Sequence, residues 1–228
     1  MAGSIRICII AEGFTDDLLK CVSKIQEFTK TPVSIHANGK KNWLNEKLFD
    51  LSQVSLTQEK NPLGWGNLIN FFLKTYTEDF LVLMDPSTIF LGDPIPNTLA
   101  ALNLGYQGVG WKGGLINTLD EWRSTEDKGV GEVDVLFNYY FALNREFTLK
   151  AGGANPSAKY YRNADLELSL TIRAAGGKLV QVDLPLDQGK HHGYYDVDSD
   201  YREKNSKKNY QRILDRFRGM NEILSPRR

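Results

Sequence analysis

Short apolar runs that alternate with amphipathic stretches constrain this chain more than any other feature of its sequence. Ile5 to Ala11 (IRICIIA), Val33 to Ala37 (VSIHA) and Phe80 to Met84 (FLVLM) read as buried strands, with Val54 to Leu56 as a weaker one. Between the first two, Leu18, Leu19, Val22, Ile25 and Phe28 recur at helical spacing behind Thr15, a residue type suited to open a helix. Pro32 closes that connection, and Asn38-Gly39 followed by Lys40 and Lys41 reads as a turn. The loop Asn61-Pro62-Leu63-Gly64-Trp65-Gly66 then leads into a helix carrying Leu68, Ile69, Phe72, Leu73 and Tyr76. Strand and helix in alternation predict an α/β fold with a mostly parallel sheet, whose ligand sites lie beyond the carboxyl ends of its strands. Asp85, the first residue after FLVLM, falls at such a place.

The second half changes character. Glycine-rich turns surround Val109 to Trp111, and the polar, acidic stretch Asp120 to Asp127 reads as an exposed loop. Val133 to Leu143, rich in aromatic and β-branched residues, predicts one long strand. Ala164 to Ala175 predicts a helix stopped by Gly176-Gly177, and Leu179 to Val182 a last strand. Tyr201 to Phe217 has helical periodicity through Tyr210, Ile213, Leu214 and Phe217 and is strongly charged. No internal repeat or low-complexity linker divides the 228 residues, so a single domain is expected.

Charge and cysteine content narrow the function classes. Lys plus Arg equals Asp plus Glu at 28 each, so no global field draws the chain to nucleic acid or an anionic membrane. The two cysteines, Cys8 and Cys21, have no metal-type spacing and read as buried thiols in a reducing cytoplasm. No apolar run approaches the ~18 residues that span a bilayer. The Met-Ala-Gly-Ser opening and Ser-Pro-Arg-Arg ending leave open a longer parent protein.

Several residues carry candidate chemistry, each beside a plainer reading. Asp85 can hold Mg2+ or Mn2+ against a diphosphate, since hard divalent cations take oxygen ligands and bridge phosphates; alternatively it opens a turn before Pro86. Asp165 and Glu167, at a helix start, are either capping carboxylates or part of a site reached by the tyrosines of the preceding loop. His191-His192 beyond the last strand is either a metal ligand or a surface pair. The Asn61 to Asn70 segment either cradles a phosphate at a helix N-terminus or forms an ordinary glycine turn. Trp111, Tyr139, Tyr160, Tyr161 and Tyr194 offer ring faces to a sugar, though most aromatics in a domain are core.

Laid out in order, these segments resemble the family 2 inverting glycosyltransferases of the GT-A type, over roughly Ile5 to Phe217. The family's opening strand and helix are similar to IRICIIAEGFTDDLLKCV, its turn after the second strand to IHANG, and its asparagine-glycine segment to NPLGWGNLIN. Its DxD strand is similar to FLVLMDPSTIFLGD and its acceptor-side strand to EVDVLFNYYFALNREF. The most specific block is AGGANPSAKYYRNADLELSLTIRAAGGKL, followed by HHGYY and the basic helix KNSKKNYQRILDRF. Three positions depart from the pattern. Ser87 replaces the second aspartate, Ala164 the acidic neighbour of the base, and Ala37 an aspartate that often contacts the nucleobase. The D-x-S and Tyr-Arg-Asn-Ala-Asp pattern resembles a rhamnosyltransferase-like subgroup.

The resemblance implies a hexosyl- or deoxyhexosyltransferase of polysaccharide biosynthesis. It would take a nucleotide-diphosphate sugar donor and a saccharide, lipid-linked or protein acceptor. A nucleotide-sugar-binding half would span about residues 1–105, an acceptor half about 106–200 and a closing helix 201–217. It implies Asp165 as the base, and Ala11, Glu12, Asn38, Asn61, Gly64, Asn70, Asp85 and Ser87 on the donor. Trp111, Tyr160, Tyr161 and Arg162 would meet the acceptor, with Asp85, Ser87 and His191 on Mg2+ or Mn2+. The alternative is a GT-A-fold binding or scaffold domain without turnover, motivated by Ser87, Ala164 and Ala37. A nucleotidyltransferase is disfavoured because AEGFTDD after the first strand is acidic where such enzymes carry a basic, glycine-rich phosphate loop.

Overall fold

The computed structural model describes residues 3–13, 15–38, 52–58, 61–188 and 198–227. The first half folds as its periodicity dictates: β1 (Ile5–Ala11), α1 (Thr15–Phe28), β2 (Val33–Ala37), β3 (Val54–Thr57), α2 (Trp65–Thr75) and β4 (Phe80–Met84). Then come β5 (Thr88–Phe90), α3 (Ile95–Asn103), β6 (Gly108–Gly110), β7 (Gly113–Ile116), β8 (Thr125–Glu126), β9 (Gly131–Val133) and β10 (Val135–Leu136). The chain closes with β11 (Tyr140–Asn144), α4 (Arg145–Lys150), α5 (Ala164–Ala174), β12 (Leu179–Gln181), β13 (Leu186–Gln188) and α6 (Ser199–Phe217).

The central sheet runs β3-β2-β1-β4-β11-β6-β12-β9. β3, β2, β1 and β4 are parallel, as are β6 and β12, whereas β11 is antiparallel to both of its neighbours and β9 is antiparallel to β12. Alternation along each strand splits the core between the two faces. Ile7 and Ile9 of β1 pack with Val82 of β4 against Leu18, Val22 and Ile25 of α1. Cys8 with Leu81 and Leu83 faces Ile69, Phe72 and Leu73 of α2 and Leu168 and Ile172 of α5. Each such side chain contributes about 1.5–3 kcal/mol on full burial, which is why these runs set the fold. Both cysteines are buried, unpaired thiols, and burial pushes each well above the ordinary thiol range.

The long strand expected over Val133 to Leu143 is instead three short strands on two sheets. Its interruption has a cause in Asp134, which is fully buried and turned inward. The Asp134 carboxylate accepts from the Ile116 N–H at 2.7 Å, the Ser225 N–H at 2.6 Å, the Ser225 hydroxyl at 2.9 Å and Arg227 at 2.7 Å. A second break follows at residues 137–139, which leave the sheet before β11 begins. The glycines near Val109 are not turn residues either. Gly108 and Gly110 lie within β6, where a Cβ would stand 2.6 Å from the side chains of Leu179 and Leu136 respectively. Nor is the acidic stretch wholly exposed: Glu121 and Trp122 take left-handed backbone angles, φ 60° and 68°, that turn the Trp122 ring into a satellite core. Ile213 and Phe217 of α6 pack in the same cluster, with Leu170 of α5.

Candidate active site

β4 delivers Asp85 to the carboxyl edge of the parallel strands, and a tight turn fixes it there. The Thr88 N–H donates to the Asp85 carbonyl at 3.0 Å, while the Thr88 hydroxyl and the Asp85 N–H both donate to the Tyr139 carbonyl, at 2.7 and 3.3 Å. Ser87 donates twice to one carboxylate oxygen of Asp85, from its N–H at 2.7 Å and from its hydroxyl at 2.5 Å. The second oxygen of Asp85 has no hydrogen-bond partner among the described residues.

Asp85 stands on the wall of two adjoining hollows. The first, about 400 Å³, opens between the ends of β1 and β4 and the start of α2, and includes Glu12, Asn38, Gly64, Trp65, Lys159 and Tyr160. The second, about 440 Å³, includes Thr125, Phe137, Tyr139, Arg162 and Asp165. Asp85, Asn138 and Tyr161 line both, so the two spaces meet along these three side chains. The carboxylates of residues 85 and 165 thus face one hollow although eighty positions separate them in the chain. Burial raises the phenols of Tyr139 and Tyr161, and the negative charges of both aspartates push them further the same way.

Asp165 occupies the first turn of α5, where Asn163 ahead of it is left-handed at φ 65°. Its carboxylate accepts from the Asn138 N–H at 3.1 Å and the Leu166 N–H at 3.0 Å, so the break before β11 and the start of α5 are tied through it. Burial pushes its pKa up to about 6, opposed by those backbone hydrogen bonds and by the Arg162 charge. A base of that strength is ionised at neutral pH and binds a proton more readily than an ordinary carboxylate.

The loop carrying Tyr160 to Asn163 is gripped from behind by α6. Asn209 donates to the carbonyls of Tyr160 and Arg162 at 2.7 and 2.8 Å, and Asn163 donates to the Ser206 hydroxyl at 3.1 Å. Glu167, buried on α5, binds Arg212 at 2.9 Å and Arg216 at 3.2 Å, which fastens the two helices together. Glu167 is therefore an anchor and not a second site carboxylate.

The sequence-predicted residues divide in a physically readable way. Glu12, Asn38, Gly64 and Asp85 line the first cleft, and Tyr161 and Arg162 the second hollow, while Tyr160 lies in the first cleft and not with Arg162. Asn38 is buried and its amide is committed: it donates to Glu12 at 2.5 Å and to the Leu63 carbonyl at 3.0 Å, and accepts from the Leu63 N–H at 2.9 Å. Asn70 lines neither space, because its amide pins Ala154 in both directions at 2.7 and 2.9 Å. Ala11 is buried in β1, Asn61 is exposed outside both walls, and Trp111 packs edge-on to Tyr139 outside the lining. Ser87 is buried and orients Asp85 without reaching either space itself. His191 and Tyr194 lie outside the described residues.

Sequence reading missed Asn138, Trp65, Lys159 and Tyr201, all of which reach the first cleft. A polar asparagine inside the aromatic run LFNYY was the available signal for Asn138, whose side-chain oxygen is buried without a partner among the described residues. The Trp65 indole N–H is likewise buried with no partner among them.

As for a cation, no three of His, Cys, Asp and Glu converge as a ligand group among the described residues. Asp85 offers, beside the first cleft, a carboxylate oxygen with no hydrogen-bond partner among the described residues. One carboxylate fits the way Mg2+ and Mn2+ are held when substrate phosphates supply the other oxygens, and does not fit an all-protein cage. No helix among the described residues is long and apolar enough to cross a membrane.

Four parallel strands ending in a site carboxylate, an antiparallel β11 beside them and helices on both faces constitute a GT-A-like α/β fold with a mixed, mostly parallel sheet. A crystal structure of GalNAc-T7 with UDP, GalNAc and Mn2+ is similar with a TM-score of 0.74 at 15% identity, over 94% of this chain and 48% of that one. The mannosyltransferase PcManGT from Pyrobaculum calidifontis, in complex with GDP-Man and Mn2+, is similar with a TM-score of 0.68 at 12% identity, over 98% and 69%. The chain thus spans about half the length of the first of these structures. At such identities the likeness is one of fold. No protein-family model matches the sequence, and no curated protein matches it.

Proposed function

We propose that this chain transfers a sugar from a nucleoside-diphosphate sugar to a hydroxyl of a saccharide, lipid-linked or protein-bound acceptor, with inversion at the anomeric carbon. The observation that carries this reading is the pair Asp85 and Asp165 on one hollow that adjoins a second cleft. The donor would lie in the first cleft, past Gly64 and Lys159, with its diphosphate toward Asp85. An acceptor hydroxyl in the second hollow would give its proton to Asp165 as it attacks the anomeric carbon. The nucleoside diphosphate then leaves from the opposite face.

Two features of the residues support these roles. Burial raises the basicity of Asp165 while leaving it ionised at pH 7, and Lys159, which lines the first cleft, brings a positive charge for a leaving diphosphate. A divalent cation, when bound, would neutralise charge on that diphosphate, and Asp85 is the residue that would hold it, oriented by Ser87. Both solved structures of similar fold contain Mn2+ with a nucleotide or nucleotide sugar, which supports the same reading. Family 2 membership, a hexosyl or deoxyhexosyl donor of the rhamnosyltransferase type, a role in polysaccharide assembly and a cytoplasmic setting are the finer parts of the proposal.

A panel of UDP- and GDP-sugars with Mn2+ tests it, scored by release of nucleoside diphosphate. Asp165→Asn is expected to lower transfer by about 10²- to 10⁴-fold, the usual worth of a positioned base, with donor binding unchanged. Transfer at the wild-type rate by that variant would remove Asp165 from the mechanism. One observation favours the scaffold alternative: both oxygens of Asp165 already accept backbone hydrogen bonds. Donor binding without turnover across the panel would select it.

A further inference from the structure

The hollow beside Asp165 continues into a third cavity of about 320 Å³, sharing Thr125, Arg162, Asn163 and Leu166 with it. Among the described residues, the charged side chains on that wall are Arg123, Arg162 and Lys207, with no carboxylate in the lining. On a chain with equal numbers of acids and bases, a described lining whose charges are all positive stands out. Three carboxylates stand beside it: Asp120 accepts from the Arg123 N–H at 2.8 Å and from the Ser124 hydroxyl at 2.5 Å, while Glu203 pairs with Lys207 at 2.6 Å and Glu121 with Arg123 at 3.5 Å, both of these pairs largely exposed. Arg162 forms no ion pair among the described residues. The floor is rigid. Trp122, held by its left-handed backbone, and Ile213 are buried there, and the Tyr210 hydroxyl donates to the Trp122 carbonyl at 2.7 Å.

We infer that the acceptor carries an oxyanion, a phosphate or a carboxylate, which this cationic cavity receives while the reacting hydroxyl lies at Asp165. Guanidinium groups bind such oxyanions through paired charge-assisted hydrogen bonds, and an apolar, preformed floor lets a sugar ring reach across to them. The inference rests on the glycosyltransferase reading for the hydroxyl's destination, but the anion site itself is independent of turnover.

Binding of glucose 1-phosphate, of methyl glucuronide and of neutral methyl glucoside to the intact protein, followed by NMR, tests it. Either anionic sugar is expected to bind at least about tenfold more tightly than methyl glucoside at low salt, and to weaken as salt rises. Preference for the phosphate or for the uronate names the source of the anion. The double variant Arg123→Gln/Lys207→Gln, at two exposed positions, should weaken that binding about fivefold or more and leave UDP binding in the first cleft unchanged. Equal binding of all three sugars, or anion binding indifferent to the double variant, would overturn the inference. Loss of transfer in Asp165→Asn with no anion preference would leave the catalytic proposal standing and sink only this one.

Discussion

Asp165 has two properties that pull against each other, and the conflict is measurable. Burial makes its charge costly, yet catalysis as proposed needs that charge. With a folded pKa of about 6 against an ordinary 3.8, the ionised group costs about 3 kcal/mol of stability at pH 7. The sign follows from the raised value: the cost is fully present above pH 6, shrinks as pH falls through 6, and is gone below 4. Asp165→Asn removes the titration but also sacrifices an accepted hydrogen bond, so its absolute effect on Tm mixes two contributions. The pH dependence isolates one of them. Between pH 7 and pH 5 the wild type is expected to gain stability relative to Asp165→Asn, by calorimetry at matched ionic strength. Parallel curves would show that Asp165 titrates normally. Transfer should fall in the opposite sense, declining below about pH 6 as the base takes up a proton.

Elements that bury an unbroken apolar run were legible in the sequence: β1, β2 and β4 begin and end where their runs do, and α5 stops at its glycine pair. Composition alone misled at Val133 to Leu143, because strand propensity does not register a buried aspartate that recruits Ser225 and Arg227 from ninety residues away. α3 went unread too, although Pro96 in its first turn is a residue type suited to a helix start. In the site, Asp85 and Asp165 were legible because each stands at an element's end. Lys159 and Tyr201 were not, because only packing brings them to the cleft. The two glycines of Gly64-Trp65-Gly66 show how that packing is made. Gly66 presses so closely on the loop before Lys159 that a Cβ would sit 1.9 Å from the Asn155 carbonyl oxygen. Backbone cannot yield cheaply there, since the Gly66 N–H also donates to the Ala158 carbonyl at 2.8 Å. Gly66→Ala is expected to cost about 2–3 kcal/mol in urea unfolding and to weaken nucleotide binding by displacing Lys159 and Tyr160. An unchanged midpoint with unchanged affinity would mean that the loop has room this packing denies it.

Across the whole molecule, the helix nearest the carboxyl terminus controls a site to which it contributes only Tyr201 among the residues of the first cleft. Beside the Asn163–Ser206 contact, its hold runs through a chain of polar contacts: Glu167 on α5 to Arg212, Arg212 to Asn209 at 2.7 Å, and Asn209 to the carbonyls flanking Tyr161. Removing the charge at Glu167 leaves Arg212 and Arg216 without their buried partner. Breaking a buried ion pair commonly costs about 3–5 kcal/mol, but both arginines are partly exposed, so water relieves some of that loss and about 2–3 kcal/mol is expected for Glu167→Gln. Asn209→Ala strips two buried carbonyls of their donor, at about 1–3 kcal/mol. Because Arg212 joins the two positions, the double variant should lose less than the separate effects combined, by at least about 0.5 kcal/mol in a double-mutant cycle. Strict additivity would mean that α6 grips the tyrosine loop by two unconnected contacts. With coupling present, both single variants are expected to raise the KM for acceptor and for donor together. The loop they loosen carries Arg162 beside the second hollow and Tyr160 in the first cleft, whereas Asp85 is locked by its own turn on β4.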